Sequence, residues 1–206
     1  MRIRIKVCGI TNERDAMEAV YLGVDAIGFD FRVGAPRAIT SRQAAQIGAR
    51  LPPFVTRVGV FADQPASAIV EAVDTVRLGA VQLSGREPPA TCARLPVPWY
   101  KGIRLSAGFP LDFLSEYPCT AFLLDCRATD PSARKALWGL ARAAGRYGRI
   151  VLGGGLDPSA LPEAIDGVRP WAVDLVDEAE VAPGVKDIDR LEAIVRAIRH
   201  EERLRD

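Results

Sequence analysis

Eight short runs of β-branched or otherwise apolar residues punctuate the chain, at residues 4–8, 26–31, 56–61, 80–83, 99–103, 121–125, 150–152 and 172–175. Between them lie stretches whose apolar positions recur with helical period: 13–22, 41–51, 66–75, a short one at 89–95, 111–116, 132–146 and 158–165, with a last helix over 188–200. Strands alternating with amphipathic helices predict parallel strands joined by crossover helices. Eight such units in 206 residues predict a closed (β/α)8 barrel of the α/β class, at the compact end of that fold's range. An open doubly wound sheet is the other arrangement the alternation permits. Pro and Gly occur singly where strands meet helices, and no Ser/Gly-rich linker divides the chain, so residues 1–206 read as one barrel domain.

Charge and composition narrow the function. With 27 basic and 26 acidic residues the formal net charge is +1, too little to draw nucleic acid or an anionic membrane. An aromatic content of 7% offers no stacking platform for bases. The opening Met1-Arg2-Ile3-Arg4-Ile5-Lys6 alternates charged and apolar residues and carries no signal-peptide block, which predicts a cytoplasmic protein without a membrane partner. Cys8, Cys92, Cys119 and Cys126 are scattered, form no CxxC pair and read as reduced thiols. His200 is the one histidine and sits in the charged last helix, so His-based triads and His metal sites have almost no material. No metal and no cofactor is expected.

Barrel enzymes carry their chemistry at the C-terminal ends of the strands. Cys8 ends the first strand, ahead of Gly9 and a helix that starts near Asn12. A helix N-terminus or a basic neighbour there would lower the thiol's pKa and leave a thiolate able to abstract a proton. The plainer reading is a small buried apolar residue. Asp125 follows Ala121-Phe122-Leu123-Leu124, and a carboxyl group at such an apolar rim can keep a proton near neutrality and donate it; a loop ion pair or helix cap is its structural alternative. Arg37, after Pro36, has the planar fork that grips a carboxylate through two parallel bonds, and equally suits an ordinary surface site. Gln82 lies at the C-terminal end of the fourth strand, one residue before its last. Gly153-Gly154-Gly155, before Leu156-Asp157-Pro158, bares backbone N–H groups where this fold often holds phosphate.

In order and spacing, Lys6-Val7-Cys8-Gly9-Ile10-Thr11, Gly28-Phe29, Pro36-Arg37, Val58-Gly59-Val60-Phe61, Gln82-Leu83, Leu123-Leu124-Asp125, Gly154-Gly155-Leu156 and Pro183-Gly184-Val185-Lys186-Asp187 resemble the phosphoribosylanthranilate isomerase family. The resemblance implies a (β/α)8 barrel acting without a cofactor in tryptophan biosynthesis, by an Amadori rearrangement of N-(5'-phosphoribosyl)anthranilate. It further implies Asp125 as general acid, Cys8 as general base, Arg37 facing the anthranilate carboxylate, and Gly154 and Gly155 at the phosphate. The expected partner is a small molecule, phosphoribosyl anthranilate or a related amino sugar, and the chain is expected as a monomer or a homodimer.

After the eighth strand the chain departs from that family. Where the family carries serine and glycine, Asp177 and Glu178 stand. Two carboxylates beside a phosphate dianion repel it, each by about 4 kcal/mol at 4 Å and an effective dielectric of 20. Ser84 replaces a usual histidine, and Thr129-Asp130-Pro131-Ser132-Ala133-Arg134 replaces a glycine-rich stretch. Three readings follow: the ordinary isomerase, its phosphate held by the glycines and a basic residue such as Arg134; a diverged isomerase whose substrate has no phosphate and is recognised by Asp177 and Glu178; or a non-catalytic paralogue.

Overall fold

In the computed structural model, β1 (Arg4–Cys8), β2 (Ala26–Asp30), β3 (Thr56–Phe61), β4 (Ala80–Leu83), β5 (Trp99–Arg104), β6 (Ala121–Asp125), β7 (Arg149–Gly153) and β8 (Ala172–Leu175) form one closed parallel barrel. The structure describes residues 2–204; Met1, Arg205 and Asp206, part of the one-domain reading, lie outside the described residues. The ring closes where β1 pairs with β8, Lys6 standing opposite Asp174. The open doubly wound sheet is thereby excluded.

Alternation along each strand explains the two layers. Ile5 and Val7 of β1, Ile27 and Phe29 of β2, and Phe122 and Leu124 of β6 are fully buried in the main apolar core between barrel and helices. The opposite face of the same strands points down the barrel axis and is more polar: Lys6 and Cys8 on β1, Gln82 on β4, Asp174 on β8. A small apolar layer of Leu123, Val151 and Ala172, with Tyr100 and Trp171 against it, fills part of the interior.

The helices α1 (Glu13–Tyr21), α2 (Ser41–Gly48), α3 (Ala66–Val76), α4 (Pro89–Cys92), α5 (Pro131–Ala144), α6 (Leu161–Val168) and α7 (Ile188–Arg203) follow the strands. Their starts are chemically marked: Asn12 caps α1, Thr40 and Gln43 make a reciprocal capping box on α2, and Asp130 and Asp187 cap α5 and α7. Two expectations are corrected and one element is added. Residues 111–116 form a 3-10 helix rather than an α-helix. The helix expected from residue 158 begins at Leu161, because Asp157 accepts the amides of Ser159 and Ala160 and holds a turn there first. Beyond β8, a 3-10 turn (Asp177–Ala179) leads into an unforeseen hairpin of β9 (Glu180–Ala182) and β10 (Val185–Lys186). No helix among the described residues is long and apolar enough to cross a membrane.

Candidate active site

The C-terminal ends of the strands surround a cavity of about 320 Å³, within the range of small-ligand pockets. Cys8, Arg37, Gln82, Asp125, Gly154 and Asp177 all line it, so most of the residues singled out from sequence converge. Gly155 and Glu178 stand just outside the lining, bonded to each other.

Cys8 is 6% exposed and faces inward beside Gly28, where a Cβ would come within 2.7 Å of its Sγ. Glycine at that neighbour is what gives the thiol its room. Below it, Lys6 Nζ donates to Asp174 Oδ1 at 2.7 Å and to Gln82 Oε1 at 3.1 Å, all three buried. Tyr100 adds its hydroxyl to Gln82 Oε1 at 3.1 Å, and Gln82 Nε2 donates to Ser84 Oγ at 3.0 Å. A buried ammonium needs such partners. Burial opposes the charge on Lys6, but Asp174, Cys8 and Tyr100 outweigh it and raise its pKa, so it remains an ammonium.

Burial is also the largest influence on Cys8 and pushes its thiol up; Lys6 pulls it down, and Asp174 and Asp30 add to the rise. The net direction is up. The basic neighbour expected from sequence is present as Lys6, but desolvation wins and favours the protonated thiol.

Asp125 stands at the other side of the mouth, three strands round the ring from Cys8. Its Oδ1 accepts the Arg127 amide at 3.0 Å. Gly154 has φ +84°, and a Cβ there would overlap Asp125 Oδ1, so glycine is required both by the backbone and by the carboxylate. Arg127 in turn makes a two-point pair with Asp177, at 2.8 and 2.6 Å, half-exposed on both sides.

Arg37 packs over Gly9, whose missing side chain leaves space for its Cδ. Its Nε and Nη2 already grip Glu180, at 2.8 and 2.6 Å, which leaves Nη1 as the arm without a partner in that pair. Glu180 is held from the other side by Lys186 Nζ at 2.8 Å. Burial works against the Glu180 charge, yet Arg37 and Lys186 keep its carboxyl below the ordinary glutamate range. Lys186 Nζ also donates to the carbonyls of Cys8 and Val176, at 2.7 and 2.8 Å, tying β1 to the loop after β8.

At the expected phosphate corner, the Glu178 carboxylate accepts the Gly155 amide at 2.6 Å, the Leu156 amide at 3.4 Å and the Val176 amide at 2.9 Å. Arg134 stands beside it, 3.9 Å from the Cβ position of Gly155, with a long 3.8 Å pair to Asp157 and a buried Nε that has no hydrogen-bond partner. Asp177 and Glu178 therefore do not crowd one site: the first neutralises Arg127, the second fills the amide cradle.

Lys6, Asp174 and Lys186 were not singled out as site residues. The signal for Lys6 and Asp174 was available in the charged letter inside each apolar strand, at Arg4-Ile5-Lys6-Val7-Cys8 and Ala172-Val173-Asp174-Leu175, since a charge on an inward position demands a partner.

Comparison with known proteins gives a consistent result. Residues 5–197 match the family described as N-(5'phosphoribosyl)anthranilate (PRA) isomerase. The N-(5'-phosphoribosyl)anthranilate isomerase of Geobacter metallireducens is 39% identical over 197 residues, covering 94% of this chain and 98% of its own length. The phosphoribosyl anthranilate isomerase of Thermotoga maritima superposes with a TM-score of 0.86 at 35% identity, covering 97% of this chain and all of that one. A phosphoribosyl anthranilate isomerase solved with reduced 1-(o-carboxyphenylamino)-1-deoxyribulose 5-phosphate gives a TM-score of 0.85 at 35% identity, with coverage of 97% and 100%. This chain belongs to the N-(5'-phosphoribosyl)anthranilate isomerase family.

Proposed function

We propose that the barrel acts as a phosphoribosylanthranilate isomerase, and that it converts N-(5'-phosphoribosyl)anthranilate to the open-chain deoxyribulose phosphate by acid–base chemistry. The observation that carries this is the pairing of a thiol, Cys8, with a carboxyl group, Asp125, across one open cavity. An open mouth lined by both groups also favours catalysis over a non-catalytic scaffold.

Asp125 gives a proton to the ribose ring oxygen, the C1'–O4' bond breaks, and the anthranilate nitrogen's electron pair forms an iminium ion. The Cys8 thiol first releases its own proton to solvent at the open mouth; as thiolate it then takes the C2' proton, and the released pair forms the C1'=C2' bond and neutralises the nitrogen. The enolamine then tautomerises to the ketone. The order has a physical reason. Burial holds the thiol up, and the iminium cation is the added positive charge that favours thiolate at the moment a base is needed. Lys6 contributes the same sign from below, as a positioning residue.

Arg37, anchored by Glu180, presents Nη1 to the anthranilate carboxylate. Gln82 holds the Lys6 ammonium at the cavity floor. The phosphate belongs at Gly154 and Gly155, with Arg134 as the nearest cation. A second reading, a substrate without phosphate, is favoured by one observation: Glu178 already occupies those amides.

The test is to follow the fluorescence loss of freshly generated N-(5'-phosphoribosyl)anthranilate, with Cys8→Ala and Asp125→Asn as controls. Turnover abolished by both changes supports the isomerase; no turnover by folded wild-type protein overturns it and directs the search to unphosphorylated amino sugars.

A further inference from the structure

We infer that Glu178 is a tethered competitor for the anion cradle, an internal carboxylate that substrate phosphate must displace, so that this one side chain sets how strongly the site discriminates for or against a terminal phosphate. The inference rests on the proposed function only for the identity of the displacing group.

Three features carry it. First, the Glu178 carboxylate takes the amides of Gly155, Leu156 and Val176 from two different loops, those after β7 and β8, and so uses donors that converge on one point. Bonds from such donors to a charged acceptor are stronger than neutral ones. Second, the residue is half-buried and sits on a three-residue 3-10 turn, so its side chain can swing toward solvent without moving a strand. Third, Arg134 stands at the same corner with its guanidinium over the Trp138 ring, Nε unsatisfied and a long contact to Asp157, a cation in excess of what Glu178 uses. Arg134 Nε is not spent on Glu178, so an anion with more oxygens than a carboxylate has a donor left for it.

A tethered ligand competes at an effective concentration in the millimolar range for a short flexible link. If it leaves the cradle open about a tenth of the time, apparent phosphate affinity falls about tenfold. Because the phosphate does not react, its binding is uniform between ground and transition states, so the competitor raises KM and leaves kcat unchanged.

The experiment measures inorganic phosphate binding by calorimetry for wild type, Glu178→Gln and Glu178→Ala, with thermal melts to establish folding. The expected result is about tenfold tighter binding to Glu178→Ala, an intermediate value for Glu178→Gln, which keeps the shape without the charge, and a lower KM at constant kcat for any turnover. Equal or weaker phosphate binding by both folded variants overturns the inference. The failures separate: turnover by wild type with unchanged phosphate binding defeats the competitor and leaves the isomerase, whereas tighter binding by the variants without turnover by wild type defeats the isomerase and leaves the competitor.

Discussion

Lys6 and Asp174 are register partners of β1 and β8 and also an ion pair, 2.7 Å long, with both side chains almost wholly buried inside the barrel two residues below Cys8. Backbone closure and the electrostatics of the thiol thus depend on the same two residues. Lys6→Met leaves the Asp174 charge buried and unpaired, and is expected to destabilise the protein by about 3–5 kcal/mol in urea unfolding. The double replacement Lys6→Met with Asp174→Leu is expected to recover much of that loss, since an apolar pair of similar volume avoids the desolvation penalty.

The thiol's direction of shift makes a prediction for the pH profile. A general base works deprotonated, and burial raises Cys8 above the ordinary thiol range. The free-enzyme profile of kcat/KM should therefore climb through a limb on the alkaline side of an exposed cysteine's. Removing Lys6 takes away the group that lowers the thiol and should move the limb further up. Cys8→Ala should lose about 10²–10⁴ in rate. A limb at or below the ordinary thiol value would contradict the assignment.

Asp125→Asn removes the acid but keeps the shape, so kcat should drop by about 10²–10⁴ with little change in KM. Gly154→Ala tests the same carboxylate from its other side. The new methyl meets Asp125 Oδ1 and the backbone is held at φ +84°, so a stability loss of about 1–3 kcal/mol and a fall in kcat should appear together. Intact kcat in a folded Gly154→Ala protein would mean that the position of Asp125 does not matter.

Glu180 provides a pH dependence of stability. Its folded carboxyl is held below the ordinary value of 4.5 by Arg37 and Lys186, against burial. A depressed carboxyl stabilises fully above its unfolded pKa, and that contribution is lost as pH falls through the folded one. Urea midpoints of wild type should decline more steeply than those of Glu180→Gln below about pH 4.3, while above it the wild type keeps its full advantage. Parallel curves would show that the pairs with Arg37 and Lys186 do not couple to folding.

The barrel was legible because its strands carry buried outer faces, such as Ile27 and Phe29, and four of its helices start on a side-chain cap, as at Asn12 and Thr40. The hairpin of β9 and β10 was not, since strands of three and two residues are too short to display a period. In the site, Cys8, Arg37 and Asp125 were visible from strand ends and motifs. Lys6 and Asp174 were passed over because their roles depend on one another across 168 positions of sequence. The acids after β8 were read as repelling a phosphate; what sequence could not display was that one turns to Arg127 and the other takes the amides of Gly155, Leu156 and Val176.

Synthesis runs from β1 to β8, yet these two are neighbours in the ring. The first strand therefore emerges from the ribosome long before its second partner exists, and one of its edges stays unsatisfied until Ala172–Leu175 has been made. The anchor that fastens the Cys8 carbonyl, Lys186, comes later still. Pairing of β8 and arrival of the last loop complete the ring beside Cys8 and leave its thiol 6% exposed, facing the cavity at the mouth of the barrel, so the base takes up its working surroundings only when the far end of the chain has been made.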